Sequence, residues 1–274
     1  MSARTLAGTF VVMLATAVAA SSQERPWERA GTHAGQEVVG PAGIALVWVP
    51  GGTFLMGSTK EDFDWVADEL GWIPDSYNVE KPAHQVELGG FWLGKTGVTV
   101  AQWRAVVGDV PPNNNLGEDH PVVRVSWQDC QEFCSKLGLS LPTEAQWEYA
   151  ARGPERRQFP WGNEWDRYKC CANGSPANSG RTAPVGSFPD GASWCGALDM
   201  AGNVWEWCAD WYAGRYYEQS QRQNPTGPDR GSERVLRGGC WIQYYAFCRS
   251  AGRYHHDPRI ESDRCGFRVV AMPR

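Results

Sequence analysis

Between Ile242 and Arg264 the chain strings together Gln243, Tyr244, Tyr245, Phe247, Tyr254, His255, His256, Asp257 and Arg259. Tyr and Arg offer large contact area at low ordering cost, so this composition suits a ligand-binding loop presenting a face over residues 243–263. An ordinary surface loop is the alternative reading of the same cluster. Nine cysteines form the second reactive set: Cys130, Cys134, Cys170, Cys171, Cys195, Cys208, Cys240, Cys248 and Cys265. The odd count leaves at least one without an intramolecular partner. Cys130 and Cys134 lie four apart on a predicted helix and are expected to meet different partners. Cys208 and Cys248 are expected to pair as a disulfide that staples the loop region. Zinc is disfavoured, because there are only five His and no C-x-x-C or H-x-x-x-H spacing. The third set is the turn Asp199-Met-Ala-Gly-Asn-Val-Trp-Glu206, whose hard oxygens suit Ca2+. The alternative is that the two acids satisfy local amides or pair with Arg.

These residues must be positioned by a framework that is short on regular structure. Thr99 is expected to cap a helix carrying Trp103, Val106 and Val107 on one side. Two capping boxes announce further helices: Ser126 with Asp129, closed by Gly138, and Thr143 with Gln146, closed by Gly153. Ile44 to Ser58 reads as two short strands about Pro50-Gly51-Gly52, Lys60 to Lys81 as a loop, and His84 to Gly94 as a strand. Beyond Gly153 the periodicity fades, leaving short strands such as TAPVGSF, ERVLRGG and CGFRVVAM. The expectation is one α+β domain over 44–274 with about a hundred residues of loop, held by disulfides or ions.

Composition agrees. With 15 Trp, 31 Gly and 18 Pro in 274 residues, the chain can bury large aromatic area while turning often. Lys+Arg of 26 against Asp+Glu of 31 leaves no basic stripe, which argues against nucleic acid as a partner. Residues Leu6 to Ala20 are apolar, follow Arg4 and end in small side chains, the form of a cleavable secretory signal over 1–20. An uncleaved anchor is the alternative; no other run approaches membrane length. The mature protein is therefore expected to be secreted or periplasmic, with a polar, loose lead-in over 21–43.

Several segments together resemble one family. They are Val49-Pro-Gly-Gly-Thr-Phe-Leu-Met-Gly57, Phe91-Trp-Leu-Gly-Lys-Thr-Gly-Val-Thr99, Leu141-Pro-Thr-Glu-Ala-Gln-Trp-Glu-Tyr-Ala-Ala-Arg152, Asp199-Met-Ala-Gly-Asn-Val-Trp-Glu-Trp207, Arg237-Gly-Gly239 and Gly266-Phe-Arg268. In this order they are similar to the formylglycine-generating enzymes, or sulfatase-modifying factors. The resemblance implies a C-type-lectin-like fold, and calcium held by Asp199, Gly202, Val204 and Glu206. It also implies a test of activity. The family's oxidases bind copper(I) through two cysteines five apart after the Gly-Gly turn, a pair of soft thiolates. Here the first position falls on Gln243 and the second on Cys248 or Tyr245, depending on the gap. The copper pair is missing under either count.

Two functions follow from the resemblance. One is a binding or accessory module with a protein or carbohydrate ligand, since the same framework also resembles retroelement-diversified variable proteins. The other is an enzyme, either a divergent oxidoreductase using Cys240 or Cys248 or a periplasmic maturation factor. The Trp residues Trp147, Trp205, Trp207 and Trp241 are expected in the core. Arg237, Arg253 and Arg268 are expected in buried pairs with acids.

Overall fold

The computed structural model describes residues 25–112, 116–176 and 178–274. Its regular elements in chain order are β1 (Glu37–Val39), β2 (Ala45–Val49), β3 (Gly52–Met56), α1 (Lys60–Leu70), β4 (His84–Leu88), β5 (Phe91–Gly94) and α2 (Val100–Val107). They continue with α3 (Trp127–Leu137), α4 (Glu144–Arg152), β6 (Trp205–Trp211), β7 (Arg234–Arg237), β8 (Arg253–His256), β9 (Cys265–Gly266) and β10 (Val270–Ala271). The fold is α+β and rich in loops, as the composition requires.

The helices begin where their caps dictate. Thr99, Ser126 and Thr143 each accept an amide from the residue three positions on, whose side chain returns a bond to the cap. Gly138 closes α3 in the left-handed conformation, where a side chain would be strained. Helix α4 is buried along its whole length, charged residues included, so it forms the central post of the domain.

Three sheets surround it. One has the order β1-β2-β5-β10, the second is the β3-β4 hairpin-like pair, and the third runs β8-β7-β6-β9 with β9 parallel to β6. The turn at Pro50-Gly51-Gly52 is real, but β2 and β3 do not pair with each other. They enter different sheets, β2 against β5 and β3 against β4. The single strand expected over 84–94 is two strands separated by Gly89-Gly90, and TAPVGSF forms none.

Two expectations are corrected. The stretch Lys60 to Lys81 is not a loop: Thr59 and Asp62 make a capping box for α1, and Asp75–Glu80 forms a 3-10 turn. The 21–43 lead-in is tied down from residue 25 onward. Strand β1 pairs with β2, the Trp92 indole donates to the Arg29 carbonyl at 2.8 Å, and Trp27 packs on the core. The expected leader over 1–20 lies outside the described residues. Among the described residues no helix is long and apolar enough to cross a membrane.

The core has two main bodies. Trp48, Trp92, Trp103, Phe133, Trp205, Trp207 and Phe267 build the first; Val47, Phe54, Phe91, Trp147, Tyr149, Met200 and Val235 build the second. Buried ion pairs tie the elements together. Arg237 reaches Glu148 at 2.6 Å, Arg268 reaches Glu206 at 2.6 and 2.8 Å, and Arg152 reaches Asp62 at 3.0 Å. Each Arg is fully buried; Arg152 and Arg237 each meet a second carboxylate, whereas Arg268 pairs with Glu206, whose removal would leave a buried charge without compensation.

Candidate functional site

Sheet β8-β7-β6-β9 and the 3-10 turn at Asp75–Glu80 enclose a cleft of about 220 Å³. Its walls are aromatic: Tyr77, Trp205, Phe247 and Tyr254, with Gln243 and Ser76 adding polar contact. Trp205 and Tyr254 stack with ring centroids 5.0 Å apart, because β6 and β8 flank β7 in one sheet and carry the two rings on one face.

Beneath the aromatic walls lie two arginines that are already satisfied. Arg249 grips Glu80 with two bonds, Nη1 to Oε2 at 3.0 Å and Nη2 to Oε1 at 2.6 Å. Arg253 grips Glu144 with Nε to Oε1 at 2.7 Å and Nη2 to Oε2 at 2.9 Å. Tyr77 donates to the Ala246 carbonyl at 3.1 Å, and burial pushes its hydroxyl up to about 12. The charges at the base thus neutralise one another. What faces an occupant is ring surface, one amide and one hydroxyl, a lining suited to an uncharged or aromatic group.

The structure splits the expected 243–263 face into four places. Gln243, Phe247 and Tyr254 line the cleft. Tyr244 and Tyr245 instead join an aromatic surface cluster, where Tyr245 stacks on Trp165 at 5.0 Å and donates to Glu69 at 2.6 Å. His255 turns to the opposite side of β8, stacked on Tyr212 at 3.8 Å with Nδ1 3.0 Å from Glu233. That split follows the two-residue period of a strand in the main ring partners, Trp205 for Tyr254 and Tyr212 for His255, while the two rings approach each other at 5.8 Å. His256 accepts the Asp257 amide, and Asp257 pairs with Arg259 at 2.5 Å. Arg259 borders a separate surface hollow with Trp127, Trp211 and Arg234. There Arg234 lies between two indoles, 3.6 Å from Trp127 and 3.4 Å from Trp211.

Neither candidate thiol lines the cleft. Cys240 and Cys248 are fully buried, and burial raises both thiols above their ordinary range. Such thiols are poor nucleophiles and poor ligands as they stand. The expected Cys208–Cys248 disulfide is also not formed. All nine cysteines are thiols, and Cys208 packs in the second core body while Cys248 packs in a separate small cluster.

The Asp199–Glu206 turn gives a mixed answer. Asp199 adopts a left-handed backbone, accepts the Gly186 amide at 2.7 Å through one oxygen and leaves its buried Oδ1 without a partner. Burial pushes its carboxyl up to about 6. An orphaned buried carboxylate oxygen fits a cation ligand. Glu206 does not: Trp147 donates to it at 2.7 Å and Arg268 grips both of its oxygens. The pairing with Arg, left open for both acids by the sequence, holds for Glu206. Among the described residues no three of His, Cys, Asp or Glu converge as a metal set.

Sequence reasoning overlooked Ser76, Tyr77 and Glu80, because it read their segment as loop, and it treated Trp205 as core alone. Glu80 and Arg249 are 169 positions apart, so no local spacing could join them.

A family profile described as a sulfatase-modifying factor enzyme 1-like domain matches residues 35–273. The chain belongs to this family. Among its relatives, the formylglycine-generating enzyme of Streptomyces coelicolor is 39% identical over 199 residues, covering 66% of this chain and 60% of the enzyme. This chain thus spans about three fifths of that enzyme's length. PvdO from Pseudomonas aeruginosa superposes with a TM-score of 0.73 at 26% identity, covering 88% of this chain and 99% of PvdO. Treponema denticola variable protein 1 shares the fold, with a TM-score of 0.72 at 24% identity over 87% of this chain and 99% of that protein. The C-type-lectin-like fold of the sulfatase-modifying factors is therefore the fold of this chain. Its motifs serve as framework: the arginine of Gly266-Phe-Arg268 clamps the glutamate of the Asn203-Val-Trp-Glu206 turn.

Proposed function

We propose that this chain is an exported binding module of the sulfatase-modifying factor family, not a copper-dependent oxidase. The observation that carries this reading is the cleft itself. Gln243 stands on its wall where the family resemblance calls for a ligand thiolate, and Cys240 and Cys248 are buried away from its lining. An amide cannot replace a thiolate at a copper(I) centre. Rings of Tyr77, Trp205, Phe247 and Tyr254 are instead arranged to take up an aromatic or other uncharged group of a protein or carbohydrate ligand. In this reading Asp199 anchors a structural Ca2+ through its free oxygen, with the carbonyls of Gly202 and Val204 nearby in the same turn and Glu206 held by Arg268 as support. Calcium there would brace the loop that delivers Trp205 to the cleft.

Two measurements on the full chain test the reading. The first incubates the protein with copper(I), O2 and a cysteine-containing peptide, and follows cysteine-to-formylglycine conversion by mass spectrometry. No conversion is expected, and turnover would overturn the proposal. The second selects a displayed random-peptide library on wild-type protein and counter-selects on Tyr254→Ala. Peptides enriched for aromatic residues and lost on the variant are expected. If every selected peptide binds wild type and variant alike, the cleft is not the binding face.

A further inference from the structure

Cys170 and Cys171 are neighbours in sequence but point into different surroundings. Cys171 packs with Ala183 and Phe188, its thiol 3.6 Å from the Arg181 carbonyl. Cys170 lies in a small cluster of buried side chains made by Cys170, Ala172, Ala201 and Cys248. The other thiols are elsewhere: Cys130, Cys134, Cys240 and Cys265 in the first core body, Cys195 and Cys208 in the second. Cys195 and Cys208 are likewise alone together, but in a much larger body, where the Cys195 sulfur sits on Ser193 Oγ and the Ala150 carbonyl; Cys170 and Cys248 share a cluster of only four buried side chains.

The backbone around them is already tied together. The Asn173 amide donates to the Gln243 carbonyl at 2.9 Å, and the Asn178 side chain bonds the carbonyls of Ala172 at 2.9 Å and Trp241 at 2.5 Å. Gly239 clears the remaining space. A Cβ at that position would sit 2.6 Å from the Cys248 sulfur, so only glycine lets the loop close over it.

We propose that Cys170 and Cys248 form a redox pair, closing to a disulfide that ties residues 170–176 to the segment flooring the cleft. The chemistry is thiol–disulfide exchange. One Cys thiolate attacks an external disulfide, such as oxidised glutathione, and releases one glutathione thiol. The second Cys thiolate then displaces the other. The two cysteines lose two electrons to one glutathione disulfide, and their two protons leave on two glutathione thiols. Both sulfurs are buried, which keeps them protonated and shielded once the fold is complete. Closure therefore occurs while the loops are still open, and reduction of the finished disulfide is slow. The inference is independent of the binding reading, since neither sulfur lines the cleft. It does, however, consume Cys248 as a metal-binding thiol.

The test is to refold the reduced full chain in a glutathione redox buffer, alkylate residual thiols and map the cross-links. Trypsin leaves 170–181 and 238–249, each holding two cysteines, so chymotryptic cleavage between Trp241 and Phe247 is needed to part Cys240 from Cys248. The variants Cys171→Ser and Cys240→Ser resolve the remaining ambiguity. The expected result is a 170–248 link that survives both variants and vanishes in Cys170→Ser. Reduction is expected to lower Tm by on the order of 5–10 °C. Finding both cysteines alkylated in the oxidised wild-type protein, or Cys248 linked to any other cysteine, overturns the pair. If a variant fails to fold, fragmentation of the wild-type cross-linked peptide between Cys170 and Cys171 in the mass spectrometer decides the matter.

Discussion

Arg253 lies against Glu144 with two bonds, at 2.7 and 2.9 Å, joining strand β8 to the first turn of the buried helix α4. The same arginine passes beneath the cleft wall and donates to the Val79 carbonyl in the turn on the other side. One guanidinium therefore holds the post, the sheet and the 75–80 turn in a fixed relation. Glu144→Gln leaves Arg253 buried without its counter-charge and weakens the 3.4 Å contact to Arg237. Breaking such a pair costs about 3–5 kcal/mol. The expected Tm loss is on the order of 10 °C, measured by calorimetry; a loss under about 2 °C would mean the pair is replaceable by water.

Tyr254 and His255 offer a paired test of the cleft. Tyr254 is 43% exposed and stacks on Trp205, whereas His255 stacks on Tyr212 with its ring 5.8 Å from that of Tyr254. Tyr254→Ala should weaken a cleft-selected peptide by about tenfold or more, the loss of one stacked ring, with little change in Tm. His255→Ala should leave the affinity unchanged. Fluorescence titration of both variants decides it, and equal losses would sink the assignment of the cleft.

Asp210 predicts how stability varies with pH. It is buried beside Glu144, whose amide it accepts at 2.8 Å. Burial first, and repulsion from Glu144 next, push its carboxyl up to about 8. Because the folded pKa lies above the unfolded one, the native state holds an extra proton between about pH 4 and pH 8. Stability from this group is therefore greatest near pH 4 and falls as pH rises through about 8, by roughly 1.4 kcal/mol per unit. Asp210→Asn keeps an oxygen for the Glu144 amide and removes the titration. Urea denaturation of the variant should show a flatter profile from pH 5 to 8 and a gain over wild type at pH 8. An unchanged slope would show that Asp210 does not titrate there.

Calcium should act through Asp199. At about a hundred times its Kd, a ligand adds about 2.7 kcal/mol to stability, a Tm rise on the order of 5–10 °C here. Asp199→Asn should abolish the rise while folding normally, because the amide oxygen still accepts the Gly186 N–H. No calcium response in wild type, or an equal response in the variant, removes the cation from the account.

The sequence by itself determined whatever depends on neighbours within a turn of helix. The boxes at Ser126 and Thr143 placed α3 and α4 to the residue, since a cap bonds an amide three positions away. The same logic applied to Thr59 and Asp62 would have found α1, so that miss was one of reading, not of physics. The ordered motifs named the family, and they placed Gln243 in the loop after Arg237-Gly-Gly239. Only the tertiary structure decided which distant partners meet. It set Glu80 under Arg249 and Glu144 under Arg253, sorted Cys248 with Cys170 instead of Cys208, and broke the 243–263 face into four. Those outcomes rest on chain crossings in long loops and on strand alternation. The crossings leave no trace in local spacing, because burial and charge compensation are settled only when segments far apart in the chain close on one core.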